Sequence, residues 1–163
     1  MTEPETHAFA GDGMFPNSPL PVLIYRAALP ADAAAMESHF AQNGWSGGWR
    51  DGIYDFHHFH SNAHEVLGIA RGEVRVMFGG AQGEEYTLQT GDVVVIPAGV
   101  PHRNMGDSGD LLVVGAYPDG EPFDTRRGDP TEYAEVLRNV ASVKLPDSDP
   151  VGGADGALRR IWS

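Results

Sequence analysis

The sequence predicts an all-β barrel or sandwich with short helices at its flanks, and three observations point there. From Ile53 to Leu112 the chain runs in brief stretches of Val, Ile, Phe and Tyr. Glycine punctuates them at Gly72, Gly79-Gly80 and Gly91-Asp92, the spacing of strands joined by tight turns. Asp92 to Ile96 reads as a buried strand, because its consecutive β-branched residues leave no face polar.

Taken in order, residues 1–20 are rich in Pro, Gly and acid and are expected to form a flexible N-terminal arm, leaving 21–163 as a single domain. Val22 to Arg26 is a short β-branched and aromatic run. Residues 32–42 are expected to be helical, since Ala33, Met36 and Phe40 share one face behind Asp32. The core is expected within about 50–118. A C-terminal helix over about 130–140 is predicted by Asp129-Pro130-Thr131-Glu132, which supplies a cap, a first-turn proline and an acid, and by the Tyr133, Val136, Leu137, Val140 stripe. The Gly- and Asp-rich tail from Pro146 ends on Ile161-Trp162, an apolar pair expected to dock. No repeat of fixed period is present.

Composition narrows the function. The chain has 163 residues, one domain's worth, with 23 acidic against 11 basic residues and a formal charge of −12. Such a charge repels phosphate backbones and anionic lipid, so no nucleic-acid or membrane partner is expected. No apolar run approaches the ~20 residues of a membrane span, and Met1 to Met14 lacks the cationic and apolar pattern of a secretory signal. Cysteine is absent, which fits a cytoplasmic protein and leaves His and carboxylate as the strong metal ligands.

Residues 58–72, HFHSNAHEVLGIARG, concentrate those ligands. In an extended strand His58 and His60 point to one side and His57 and Phe59 to the other. Glu65 lies far enough on for the chain to turn and return its carboxylate to the same cavity. His102 follows the strand and turn of GDVVVIPAGVPHRN and can supply a third imidazole. Three imidazoles and one carboxylate suit one divalent transition ion, Fe, Mn, Ni, Zn or Cu, with positions left open for water, dioxygen or a chelating substrate. By strand parity the expected pocket neighbours are Tyr54, Phe56, Leu67 and Ile69, with Asn104 near the rim. No catalytic residue beyond the ligands is singled out by spacing, although Tyr54, Glu84, Glu85, His57 and His64 could handle protons.

These spacings resemble the cupins. Gly52, His58, His60, Glu65 and Gly72 match the first cupin motif at every position, and Gly91, Pro97, Gly99 and His102 match most of the second. The second motif usually closes on asparagine, where this chain has Gly106; the nearest asparagine is Asn104. The stretches NGWSGGWRDGIYDFHHFHSNAHEVLG, VVGAYPDGEPFD and LPDSDPVGG resemble the YjlB-like branch of single-domain cupins from about residue 20 to the C-terminus. The resemblance implies a double-stranded β-helix, a jelly-roll barrel commonly paired as a homodimer. It also implies His58, His60, Glu65 and His102 as metal ligands in the barrel mouth, and it does not specify a substrate.

Competing patterns fail on context. His64-Glu65 opens like a zinc-protease helix, but Gly68 stands where the second histidine belongs. Gly44 to Gly48 matches a nucleophile elbow without the preceding strand or following helix. Gly79, Gly80 and Gly83 fit a hairpin turn better than a phosphate cradle. His57 and His64 are expected to face away from the site, and His7 and His39 to lie on the surface. Two functions remain: a metal-dependent enzyme acting on a small polar molecule by dioxygenase or isomerase chemistry, or a module that binds a metabolite or metal without turnover.

Overall fold

The computed structural model describes residues 3–163 and is an all-β double-stranded β-helix with short helices against its outside. Among the described residues nine strands form two sheets. They are β1 (Glu5–Phe9), β2 (Ser18–Tyr25), β3 (Trp45–Asp51), β4 (Glu65–Arg71), β5 (Glu73–Phe78), β6 (Glu84–Gln89), β7 (Val93–Ile96), β8 (His102–Asp107) and β9 (Leu112–Pro118). One sheet has the order β1-β2-β7-β4-β9-β3 and the other β6-β5-β8. Helix α1 (Ala33–Gln42) is capped by Asp32, whose side chain accepts from the Ala35 N–H. A 3-10 turn, Pro130–Glu132, is capped in the same way by Asp129 and leads into α2 (Tyr133–Ser142). Helix α3 (Ala157–Ile161) closes the chain. Among the described residues no helix is long and apolar enough to cross a membrane.

Strand alternation divides the apolar residues into two cores. On β7, Val93 and Val95 face outward beneath α1 and the C-terminal tail, while Val94 and Ile96 face the interior between the sheets. This double burial explains why the strand is apolar at every position. The same alternation on β4 sends Val66 outward and Leu67 and Ile69 inward, so Glu65 shares the inward face with the latter two. Gly68 is small for a reason: a Cβ there would press on Met36 and Phe40, the residues through which α1 seats on the sheet.

The expectation of a flexible arm over 1–20 is corrected for residues 5–9 and 18–20. Antiparallel pairing joins Glu5 to Ile24 and Phe9 to Ser18, and Phe15 is buried against Phe59 and Val136. Prolines and acids dominate the average composition there, while a few well-placed aromatics decide the packing. Met1 and Thr2 lie outside the described residues. A second correction concerns residues 57–60, which are not a regular strand. His58 makes an isolated bridge with His102 and Phe59 one with Arg126, flanked by irregular backbone.

The tail docks through Trp162, whose indole is buried in the outer core and donates to the Pro21 carbonyl at 2.9 Å. Asp149, fully buried, holds the tail together by accepting from the Tyr25 hydroxyl and from the N–H groups of Val151, Gly152 and Leu158. Removing that carboxylate strands several donors away from water. Asp149→Ala is therefore expected to cost about 3 kcal/mol, measured by equilibrium urea unfolding, and a loss below ~1 kcal/mol would mean the tail is held by Trp162 alone.

Candidate metal centre

The candidate ligand side chains come together because three chain segments meet at one end of the barrel. Backbone hydrogen bonds run in both directions between His58 and His102, which fixes their rings side by side with centroids 4.1 Å apart. His60 sits on the same side two residues on. Glu65 opens β4, the strand paired on both sides by β7 and β9, so its backbone is the most constrained of the four. His60, Glu65 and His102 each offer an atom within 4.8 Å of the others, and all three are buried. His58 is also buried but falls outside this tight cluster, so the structure assembles three of the four expected ligands closely and sets the fourth beside them.

Main-chain carbonyls determine how the rings face. His58 Nδ1 lies 3.1 Å from the Phe56 carbonyl, His60 Nδ1 2.5 Å from that of Asp124, and His102 Nδ1 3.3 Å from that of Val100. A carbonyl can only accept, so each Nδ1 carries a proton, and each Nε2 is bare only while its ring is neutral. Two of these nitrogens approach the Glu65 carboxylate, His60 Nε2 at 3.4 Å from Oε2 and His102 Nε2 at 3.2 Å from Oε1. With both rings neutral, lone pairs would converge on a buried anion, and among the described residues Glu65 Oε1 has no hydrogen-bond partner. Only a cation or added protons relieve that arrangement, and the donor set of imidazole and carboxylate fits a divalent transition metal.

The local electrostatics agree. Burial opposes the charge on Glu65, but His60 and His102 outweigh it and hold its carboxyl well below the usual range. Burial likewise works against protonation of His60, yet the attraction of Glu65 raises its pKa above the ordinary imidazole value. His58 goes the other way, pushed to about 3 by burial and then by the neighbouring His102, so its ring stays neutral.

The cluster forms the floor of a cavity of about 260 Å³. Tyr54 and Leu67, expected from strand parity, line it. Three other candidates do not. Phe56 stacks behind Tyr54 under the Arg127 guanidinium; Ile69 lies one inward step farther along β4, in the interior core; and Asn104 turns outward to Asp107 while accepting from the Gly106 N–H. The β5–β8 register is regular from His102 to Asn104 and shifts only beyond it, so what withholds Asn104 from the rim is the engagement of its amide by Asp107 and Gly106. His57 packs edge-on to Phe15, and His64 is buried against Trp162 with Nδ1 accepting from the Ala98 N–H; neither lines the cavity. His39 is not free at the surface, since its Nε2 lies 2.7 Å from the Val151 carbonyl, and His7 is half-buried on Tyr86.

Sequence reasoning missed Trp49, Asp51, Tyr117 and Phe123. Tyr117, one register step beyond the Val66–Ala116 pair, donates its hydroxyl to Glu65 Oε2 at 2.7 Å and accepts from Trp49 Nε1 at 2.8 Å. Gly115 makes room for the indole, because a Cβ there would run into it. Phe123 stacks on Tyr117 with centroids 4.2 Å apart and meets His60 edge-on at 4.8 Å. These are cross-strand and loop contacts, which no sequence period announces.

A model of the Cupin_2 family, described as a cupin domain, matches residues 46–114. The YjlB protein of Bacillus subtilis (strain 168) is 40% identical over 161 residues, covering 98% of this chain and 97% of its own. Among solved structures, acireductone dioxygenase from Bacillus anthracis, with cadmium in its active centre, is 17% identical with a TM-score of 0.43, covering 66% of this chain and 80% of that one. TDP-fucose-3,4-ketoisomerase from Campylobacter jejuni is 14% identical with a TM-score of 0.43, over 60% of this chain and 77% of its own.

Because a metal must displace the proton that Glu65 draws onto His60, uptake is expected to release protons. Affinity should rise with pH through the imidazole range and beyond it, since the His60 pKa is raised, and isothermal titration in buffers of different ionisation enthalpy checks this. Tyr117→Phe should weaken metal binding about 10- to 100-fold by freeing the Glu65 carboxylate, read from competition with a chromophoric chelator. An unchanged affinity would mean that Tyr117 only fills space.

Proposed function

The chain belongs to the cupins, in their YjlB-like branch, and on that premise we propose that it is a metal-dependent enzyme of dioxygenase or isomerase type acting on a small polar molecule. The observation that carries this reading is the set of imidazoles, tied through Nδ1 to main-chain carbonyls, around an under-satisfied buried carboxylate at the floor of a cavity that opens to solvent. His60, Glu65 and His102 would hold one divalent ion, with His58 completing the set. Such an ion supplies Lewis acidity, or dioxygen activation if it is redox-active.

The protein's own groups do the rest. Tyr117 positions the Glu65 carboxylate, Trp49 holds Tyr117, and the Leu67, Trp49 and Phe123 side chains exclude water from the reacting end of a substrate. At the mouth, the exposed Asp51 carboxylate can take a proton from a substrate oxygen or carbon, and the Tyr54 hydroxyl can donate one. The scarcity of other titratable groups in the cavity favours a second reading, a cupin that binds a small molecule or metal without turnover.

Metal exchange separates the two. Purified protein is loaded in turn with Fe(II), Mn(II), Ni(II) and Zn(II) and offered diketones, hydroxy acids and sugars. Turnover with one metal, lost in His60→Ala and in Asp51→Asn, supports the enzyme. Silence with every metal, while a ligand still raises the melting temperature, establishes the binding module. The homodimer is part of the same proposal, supported by the open edges of β1 and β3 at either side of the larger sheet. Light scattering is expected to give twice the 17.5 kDa of one chain, and a mass near 17.5 kDa would remove the dimer.

A further inference from the structure

Two features of the cavity say what kind of molecule it takes. The first is charge. No Lys or Arg lines it among the described residues, and the one charged side chain at its mouth is an acid, Asp51. A phosphate or a dicarboxylate would enter with no cation to meet it except the metal. Glu65 is the only carboxylate of the ligand cluster, so a divalent ion there keeps one net positive charge. A singly charged ligand neutralises that charge; a dianion leaves an excess facing Asp51, on a chain of net charge −12.

The second is exposed aromatic surface. Five large apolar side chains are exposed among the described residues, and two of them, Tyr54 at 59% and Phe123 at 40%, line this one cavity. Neither is loose. Tyr54 stacks on Phe56 at 4.8 Å and Phe123 on Tyr117 at 4.2 Å, so each ring is braced from behind and presents its free surface without further ordering. Rigid, partly uncovered rings beside a chelating centre are suited to receiving another flat ring.

We propose that the cavity binds a small planar aryl compound, at most singly charged, that presents two adjacent oxygens to the His60, Glu65 and His102 cluster while Tyr54 and Phe123 cover its ring. This rests on the metal-centre reading above. It goes further by excluding nucleotide sugars, phosphates and dicarboxylates, and it makes Phe123 and Tyr54 the residues that set specificity. Asp51 contributes by repelling a second negative charge.

The test uses zinc-loaded full-length protein, with zinc content measured for every variant. Nitrocatechol is titrated by its absorbance shift, against hydroxyacetone, oxalate and inorganic pyrophosphate as competitors. Nitrocatechol is expected to bind at least tenfold more tightly than hydroxyacetone, with no displacement by equimolar oxalate or pyrophosphate. Phe123→Leu, which keeps apolar bulk against His60 but removes the ring, is expected to weaken it about tenfold at unchanged zinc content, and Tyr54→Ala similarly. Preferential binding of oxalate or pyrophosphate, or a Phe123→Leu protein that binds nitrocatechol as tightly as the parent, overturns the proposal alone. Failure to take up zinc overturns the metal centre and this inference with it.

Discussion

A carboxylate sealed from solvent, with two imidazole nitrogens turned toward it, is the constraint around which this barrel is arranged. Burying Glu65 is costly, and what offsets that cost is spread over the fold. β4 lies between β7 and β9 and cannot shift without breaking both pairings. Tyr117 reaches across from β9 to one carboxylate oxygen, and Trp49 holds Tyr117 from the edge strand. The remaining oxygen is left to whatever the histidines and the cavity admit. The core below serves this geometry by filling the interior with Val, Ile and Phe, so that the polar groups collect at one end.

The orientation of the imidazoles is a separate problem, and backbone solves it. Each ring is tied by Nδ1 to a main-chain oxygen from a different place: the irregular stretch before His58, the turn before His102, and the loop after β9 for His60. That loop is itself anchored. The Asp124 carboxylate accepts from the Ser61 N–H and hydroxyl, and Arg126 ties Asp124 to Glu132 and Glu135 at the start of the C-terminal helix. Asn139 of that helix also donates to Ser61 Oγ. The flanking helix therefore steadies the turn that carries His60.

How much of this was legible in the sequence follows from the range of each interaction. The candidate cluster was legible because its spacing is local: two histidines one residue apart, a carboxylate after a turn, and a histidine after a strand and a Pro-Gly bend. The starts of α1 and of the 3-10 turn ahead of α2 were legible because Asp32 and Asp129 cap their own chain neighbours. The Tyr117 and Phe123 contacts were not, since they depend on register between distant strands and on a loop path. Asn104 does not line the cavity because its amide is taken up by Asp107 and the Gly106 N–H, a local choice of partner that strand position alone does not reveal. The N-terminal strands were hidden for a related reason: pairing with Ile24 and packing of Phe15 are long-range facts that an averaged composition cannot carry.

The bond from His60 to the Asp124 carbonyl has a consequence for anyone mapping this protein by mutation. Every amino acid at 124 brings the same oxygen, so no replacement of that side chain deletes the contact directly. An alanine scan would register Asp124 as a loop anchor, through Ser61 and Arg126, and pass over its part in aiming the His60 ring. A feature of that sort is carried by the path of the chain rather than by the identity of a side chain.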